Sequence, residues 1–157
     1  MTGGRVASLN VSDGGVPKRA VESAEVTRDG VRGDRQRNLK YHGGRERALC
    51  LWSLERIEAL RAEGHPVSPG STGENVTVAG VEWAALAPGV RLRIGPVLAE
   101  VTDYTRPCRT IARSFLGGRS GRVSQKTHPG WSRVYARVLE EGRVAVGDAV
   151  IVVASGG

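Results

Sequence analysis

The stretch VRLRIGPVLAEV, residues 90–101, decides the fold class that the sequence predicts. Apolar residues alternate with arginine from Val90 to Ile94, which is the pattern of a strand with one buried face. Gly95-Pro96 then interrupts the alternation, and a second apolar run follows from Val97 to Val101. Two such runs joined by a glycine-containing turn predict a β-hairpin.

Comparable runs occur along the whole chain and predict about eight short strands. They lie at residues 5–11, 20–26, 47–52, 75–79, 90–94, 97–101, 134–139 and 144–153, with a turn or bulge at Gly147-Asp148 near the last one. The 22 glycines suit many tight turns. Strands this short and numerous indicate a mainly β protein, built as a closed or partly closed barrel. The last four residues, from Ala154, are expected to fray.

Two or three short helices are expected beside the barrel. Ser53 can cap a helix that runs to about Glu63. Proline is well tolerated at the first helical position, so a second short helix is predicted from Pro107 to Phe115. The polar segment 29–44 and the glycine-rich stretch 117–121 are expected to be loops.

Length, charge and composition exclude several classes of protein. At 157 residues the chain is expected to form one domain, residues 1–157. The net charge of +7 favours anionic partners, although a solvated basic surface would have the same composition. Aromatic residues make up only 4% and form no stacking platform, so nucleic-acid binding is not expected.

The cysteine content and the absence of long apolar segments predict a cytoplasmic location. Cys50 and Cys108 are too few for a disulfide framework or a four-thiolate zinc site, and such usage fits a reducing compartment. The N-terminus shows no apolar secretion signal, and no stretch approaches the length of a membrane span. We therefore expect neither secretion nor membrane insertion.

Cys108 is the strongest candidate for a reactive group. It lies between Arg106-Pro107 and Arg109, and in the predicted helix it would fall in the first turn, where unpaired N–H groups favour an anion. The flanking arginines add positive potential. These effects would favour the thiolate, which binds soft metals and attacks sulfur or carbon. The alternative is a buried cysteine that packs beside Ile111, and we interpret Cys50 as an ordinary core residue.

Three further short clusters carry polar side chains that could contact an anionic ligand. In Gly33-Asp34-Arg35, the carboxylate can brace an arginine or cap backbone groups, and Arg35 can reach an anion. His42 could bind a ligand or fix its loop. Asn75 could contact a heterocycle or hold a turn. No pair of possible ligands has the spacing of a zinc site.

Taken in order, these clusters resemble the motifs of the MOSC family, named for the C-terminal domain of molybdenum cofactor sulfurase. The matching stretches, spread over about residues 30–148, are Gly30–Arg35, His42-Gly43-Gly44 with Arg47-Ala48, Gly73–Gly80, Arg106-Pro107-Cys108, and Val134–Val138 with Gly142 and Gly147-Asp148. Each motif is weak by itself, but their common order makes a specific signal. Gln36 stands where many members of the family carry histidine.

The resemblance implies a fold related to the pyruvate kinase β-barrel and a functional role for Cys108. In relatives that reduce N-hydroxylated compounds, the equivalent cysteine is a molybdenum ligand. By the same match, the pocket for the molybdopterin and its phosphate would be lined by Asp34, Arg35, His42, Asn75, Arg106 and Arg109. No desulfurase portion is present, so pyridoxal phosphate is not expected here. The stretch Gly117–Gly130 has no recognisable family pattern and could shape substrate choice.

The lead hypothesis is a molybdenum-cofactor-binding module that reduces an N-hydroxylated small molecule, with Cys108 on the metal and an electron-donor protein as partner. An alternative is a sulfur carrier that holds a persulfide on Cys108 and receives its sulfur from a cysteine desulfurase. A further alternative is different cysteine-dependent chemistry or a non-enzymatic basic binding module. Metal content, cyanolysable sulfur and salt-sensitive nucleic-acid affinity would separate these hypotheses.

Overall fold

The order of eleven β-strands organises the fold. The structure is a computed structural model that describes residues 3–12, 16–34 and 44–155. The strands within these residues are β1 (Gly4–Val11), β2 (Arg19–Val21), β3 (Ser23–Thr27), β4 (Gly30–Val31), β5 (Leu49–Ser53), β6 (Val76–Ala79), β7 (Val90–Ile94), β8 (Val97–Tyr104), β9 (Val134–Glu140), β10 (Gly142–Ala145) and β11 (Ala149–Ser155). One α-helix, α1 (Leu54–Ala62), follows β5 directly.

Seven strands close a barrel in the order β11, β7, β8, β9, β5, β6 and β1, with β1 pairing back to β11. β5 and β6 are parallel, and the other barrel pairs are antiparallel. β2 extends the barrel sheet beyond β1, while β10, β3 and β4 form a separate three-stranded sheet. The predicted mainly β, barrel-like class is confirmed.

Alternation along the strands sends aliphatic side chains into the barrel. Leu51 lies opposite Val76 on one side and Val134 on the other, and Val76 lies opposite Leu9. All four are buried in one continuous apolar cluster. The intervening residues of the same strands therefore point to the outer face of the barrel wall.

Helix α1 forms where the sequence predicts it. The Ser53 side chain accepts a hydrogen bond from the Arg56 backbone N–H at 3.1 Å, which caps the helix start. Ile57 and Leu60 are buried against the barrel, and Gly64 ends the helix in a left-handed conformation with φ of +99°. Within the described residues, no helix is both long and apolar enough to cross a membrane.

One predicted strand, residues 20–26, is wrong because the chain changes sheets within it, and another, residues 144–153, is divided at its predicted turn. Residues 20–26 form the end of β2 and most of β3, which belong to different sheets. Residues 144–153 likewise divide into β10 and β11 at the turn that contains Gly147-Asp148. The two breaks are adjacent in space, because the Val146 N–H donates to the Glu22 carbonyl at 2.9 Å. Local alternation continues through the first break and so hides it, whereas Gly147-Asp148 marks the second in the sequence.

Two smaller predictions are also wrong. Ala154 and Ser155 do not fray, since they pair with Arg91 and Val90 in the barrel sheet. The predicted helix from Pro107 to Phe115 is shorter and tighter, being a 3-10 helix over Arg109–Ser114. Further 3-10 helices cover Leu116–Gly118 and Ser120–Val123, where a flexible loop was expected.

Candidate functional site

A row of polar side chains crosses the outer face of the barrel wall, perpendicular to the strands. Cys50 of β5 lies opposite Tyr135 of β9, which in turn lies opposite Asp103 of β8. On the other side of Cys50, the backbone N–H of Asn75 donates to the Cys50 carbonyl at 2.7 Å. The row joins three motifs that are distant in sequence, and we therefore take it as the candidate site.

Asn75 joins the barrel wall to the first glycine-containing loop. Its Oδ1 accepts from the Cys50 N–H at 3.0 Å, and its Nδ2 donates to Asp34 Oδ2 at 2.8 Å. Asn75 is 1% exposed. Its amide therefore acts within the protein as a bridge, which corresponds to the predicted turn-holding alternative.

Asp34 is held by three partners. It forms a buried ion pair with Lys18, with Nζ to Oδ2 at 2.6 Å, and it also accepts from the Ser12 N–H at 2.9 Å. The third partner is Asn75. Gly33, just before it, has φ of +87°, a conformation that glycine adopts without a Cβ penalty. The sequence predicted an arginine or backbone groups as the partners of Asp34; the cation in the structure is a lysine, Lys18, and one backbone group, the Ser12 N–H, is also bound.

Beneath this loop, Glu74 is a fully buried carboxylate. It accepts from the Gly70 N–H at 3.0 Å and from the Thr72 and Thr77 hydroxyls at 2.9 and 3.1 Å. Burial raises the pKa of the Glu74 carboxyl, and these hydrogen bonds oppose the rise.

Arg133, at the start of β9, places a buried guanidinium beside the row. Its Nη1 donates to the Thr72 carbonyl at 2.6 Å, and its Nη2 donates to the Arg106 carbonyl at 3.2 Å. Its Nε is buried and has no hydrogen-bond partner among the described residues. Arg133 is 4% exposed, so this leaves one buried, charged donor available to an anionic group.

Cys108 lies two residues after Arg106, whose carbonyl accepts from that guanidinium. The residue is half-buried and extended, with φ of −138° and ψ of 171°, and it precedes the 3-10 helix. Its position outside the first turn, before a helix of only six residues, removes the helix-dipole argument for a thiolate. What the structure offers instead is partial exposure, with the Arg133 guanidinium held at the carbonyl of Arg106.

The two cysteines differ in accessibility. Cys50 is buried, with Sγ 3.6 Å from Thr105 Oγ1, and burial raises the pKa of its thiol although the Arg133 charge opposes this. Burial, followed by the Cys50 thiol, raises the pKa of the Tyr135 hydroxyl to about 12, and Cys108 contributes to the same shift. Tyr135 therefore lies within electrostatic reach of both thiols and keeps its proton at neutral pH.

The structure brings only some of the predicted site residues together. Asp34 and Asn75 share a hydrogen bond, while Arg106 and Arg109 flank Cys108 with exposed side chains. Arg35 and His42 lie outside the described residues. Lys18 and Arg133 were missed by sequence reasoning, because each stands in a stretch that reads as ordinary surface. The only signal in the sequence for Arg133 was that this arginine has no acidic residue nearby with which to pair.

Comparison with models of protein families identifies the family of this chain. The model of the MOSC domain matches residues 38–151. The chain belongs to the MOSC family. The matched range includes β5 to β10, the Cys108 segment and the first residues of β11, and so contains the outer-face row.

Relatives of this MOSC domain agree in sequence and fold. YflK of Bacillus subtilis (strain 168) is 33% identical over 135 residues, which is 85% of this chain and 60% of YflK. The chain thus spans less than two thirds of that relative. Crystal structures of YiiM from Geobacillus stearothermophilus and YuaD from Bacillus subtilis superpose with TM-scores of 0.70 and 0.69. They are 22% and 20% identical to this chain, and each match covers 96% of this chain. The matches cover 75% of the YiiM chain and 94% of the YuaD chain.

The segment that carries Cys108 is fastened over the barrel wall of this MOSC domain. We call residues 105–133 the cover segment. Arg122 forms two hydrogen bonds with Glu63 at the end of α1, at 3.0 and 2.8 Å. The guanidinium groups of Arg122 and Arg56 lie 4.1 and 4.5 Å from the centroid of the Trp131 ring. The Leu116 N–H also donates to His65 Nδ1 at 2.9 Å.

The residues present fit a molybdenum-pterin group better than a metal held by the protein alone. The described residues contain no cluster of three or more His, Cys, Asp or Glu side chains that could hold a metal ion. They do provide one partly exposed soft ligand, the Cys108 thiol, in the segment whose Arg106 carbonyl is bound by Arg133, and the Arg133 Nε has no partner among them. One thiolate with nearby cations suits a metal that arrives on an anionic organic group.

Proposed function

We propose that this MOSC domain binds molybdenum cofactor and reduces N-hydroxylated small molecules, with Cys108 as the protein ligand of the metal. The observation that carries the proposal is the contrast between the two thiols. Cys108 is half-buried and lies two residues after Arg106, whose carbonyl accepts from the buried Arg133 guanidinium, whereas Cys50 is buried in the barrel wall. The membership of the MOSC family supports the same cofactor.

Each group at the site has a separate role in this proposal. Cys108 holds the metal through its sulfur, and the Arg133 Nε–H donates to an anionic oxygen or sulfur of the cofactor. Arg106 and Arg109 are exposed on either side and attract the phosphate. Arg35 and His42 remain predicted cofactor contacts, while Asp34 and Asn75, the other members of the predicted set, support the site through their hydrogen bond to each other. When bound, the cofactor supplies two-electron chemistry that these side chains do not perform.

The reaction reduces R–NH–OH to R–NH2 and water. The N–O bond breaks, two electrons and two protons are consumed, and the oxygen leaves as water. The electrons come from a donor protein. Tyr135 is protonated at neutral pH, as an ordinary tyrosine would be, and its pKa of about 12 keeps the hydroxyl neutral into more alkaline solution as well.

The decisive experiment measures metal and pterin on protein from a host that makes the cofactor. The wild-type chain and Cys50→Ala should co-purify with molybdenum and pterin, because Cys50 contacts the site only from within the wall. Cys108→Ser should lose the metal. Reduction of an amidoxime by a chemical electron donor should follow the same order.

Two results would contradict the proposal. Wild-type protein without molybdenum and pterin would remove its basis. Cyanolysable sulfur on Cys108 without metal would favour the sulfur-carrier alternative, which uses the same accessible thiol with a cysteine desulfurase as donor.

A further inference from the structure

The cover segment presents a cationic surface that the chemistry at Cys108 does not use. No Asp or Glu occurs between Asp103 and Glu140. Beyond the residues assigned to the cofactor, Arg113, Arg119 and Lys126 are exposed in this span. None of the three has an ion pair or side-chain hydrogen bond within residues 3–12, 16–34 and 44–155. We call these residues, with Leu116 among them, the cationic face.

Half of the twelve described arginines outside the cover segment are paired with a carboxylate. These six lie within 4.0 Å of their partners: Arg28 with Glu141, Arg32 with Glu25, Arg45 with Asp29, Arg91 with Glu100, Arg93 with Glu140, and Arg137 with Glu46 and Glu100. The cationic face therefore differs from a surface where both signs are interspersed. An uncompensated patch of one sign produces a field that attracts a partner of the opposite sign.

An exposed apolar side chain lies inside the same patch. Leu116 is 55% exposed and belongs to the short 3-10 helix Leu116–Gly118. Arg113 and Arg119 each stand three residues away from it. Protein interfaces combine an apolar centre with a polar rim, and Leu116 between two arginines has that composition.

We propose that the cationic face docks an acidic protein surface beside Cys108. A protein is favoured over a nucleic acid because the face has no aromatic ring available for base stacking. Phe115 is 3% exposed, and the Trp131 ring is already contacted by two guanidinium groups. That the occupant delivers electrons to the site rests on the proposed function, whereas the docking itself does not.

The test measures binding of two labelled probes by fluorescence anisotropy. One probe is a fluorescein-labelled peptide rich in Glu and Leu, and the other is an oligothymidylate of equal charge. The charge-reversal variant is Arg113→Glu/Arg119→Glu/Lys126→Glu. The matched control, Arg5→Glu/Arg19→Glu/Arg143→Glu, changes net charge equally at exposed positions on β1, β2 and β10.

We expect the peptide to bind at low ionic strength and to weaken as salt is added. The face variant should weaken it by roughly tenfold and the control by less than about twofold. Leu116→Ser should weaken it by about threefold without changing the salt dependence. Cys108→Ser should bind the peptide with the same affinity and salt dependence as wild type. A failure of the metal experiment would therefore not affect the test of docking.

Equal weakening by the two triple variants would show a net-charge effect and overturn the proposal. Tighter binding of oligothymidylate than of peptide, lost in the face variant, would assign the face to nucleic acid instead and would overturn it too.

Discussion

At the scale of single residues, Asn75 shows how one amide can decide the geometry of a site. Its Oδ1 accepts from the Cys50 backbone N–H in place of a backbone carbonyl, and its Nδ2 donates to Asp34. One side chain therefore fixes the positions of both β5 and the loop that contains Asp34. We predict that Asn75→Ala lowers the free energy of unfolding by about 2–4 kcal/mol, because two buried partners lose their hydrogen bonds.

Urea denaturation at neutral pH measures this loss. Asn75→Asp provides the second variant, since it keeps the acceptor for Cys50 but places a carboxylate against Asp34. It should be at least as unstable as Asn75→Ala. A change below about 0.5 kcal/mol in Asn75→Ala would mean that the bridge contributes nothing.

The buried carboxyl of Glu74 predicts a pH dependence with a definite sign. Its pKa is raised in the folded protein by burial, so the native state holds this proton more tightly than the unfolded chain does. The stabilising contribution is therefore complete below about pH 4.3 and is lost as pH rises through the folded pKa. In Glu74→Gln this contribution is absent at every pH.

The measurement is the free energy of unfolding of both proteins across the acid-to-neutral range. The advantage of wild type over Glu74→Gln should shrink as pH rises. A constant difference would show that Glu74 does not titrate between the states. A difference that grows as pH rises would show that the hydrogen bonds from Gly70, Thr72 and Thr77 lower the pKa of Glu74 by more than burial raises it.

At the scale of elements, the cover segment depends on a few contacts with α1. Arg122 both pairs with Glu63 and stacks on Trp131, and the guanidinium lowers the pKa of the Glu63 carboxyl. We predict that Arg122→Ala opens the segment without unfolding the barrel. The loss of an ion pair and a cation–π contact, about 1 kcal/mol, should raise amide exchange in residues 107–130 roughly fivefold.

Alkylation of Cys108 should accelerate in parallel. Arg93→Ala is the matched control, since the Arg93–Glu140 pair is similar in length at 2.9 Å but lies away from the cover segment. Exchange that rises equally along the barrel strands would contradict a local opening, as would an unchanged alkylation rate.

The elements also show which parts of the fold are predictable from sequence. The hairpin of β7 and β8, and α1 with its Ser53 cap, depend on neighbours in the chain, and both were predicted. The breaks between β2 and β3 and between β10 and β11 depend on which sheet each strand joins. That choice is made by contacts such as Val146 with Glu22, which alternation does not encode. The same holds for the candidate site, where the local sequence predicted a role for Cys108, which stays a prediction, but gave no indication of Lys18 or Arg133.

At the scale of the whole molecule, the barrel closes at its strand pair with the fewest paired residues. The seam between β1 and β11 has two register pairs, Gly4 with Val150 and Arg5 with Ala149. β8 and β9, on the far side, share six. Beyond the strands, the seam adds two backbone hydrogen bonds, from Val6 to the Asp148 carbonyl at 2.8 Å and from Gly147 to the Val6 carbonyl at 2.9 Å.

A short ladder opens at lower cost than a long one, because fewer hydrogen bonds and packed side chains separate. We therefore predict that the amides of Val6 and Gly147 exchange with solvent faster than those of Val101 and Ala136, although Val6 is as buried as either. Residue-resolved hydrogen exchange under native conditions checks this order. Equal protection at all four amides would mean that the barrel opens only by global unfolding, and that the cover segment moves over a wall that is rigid all round.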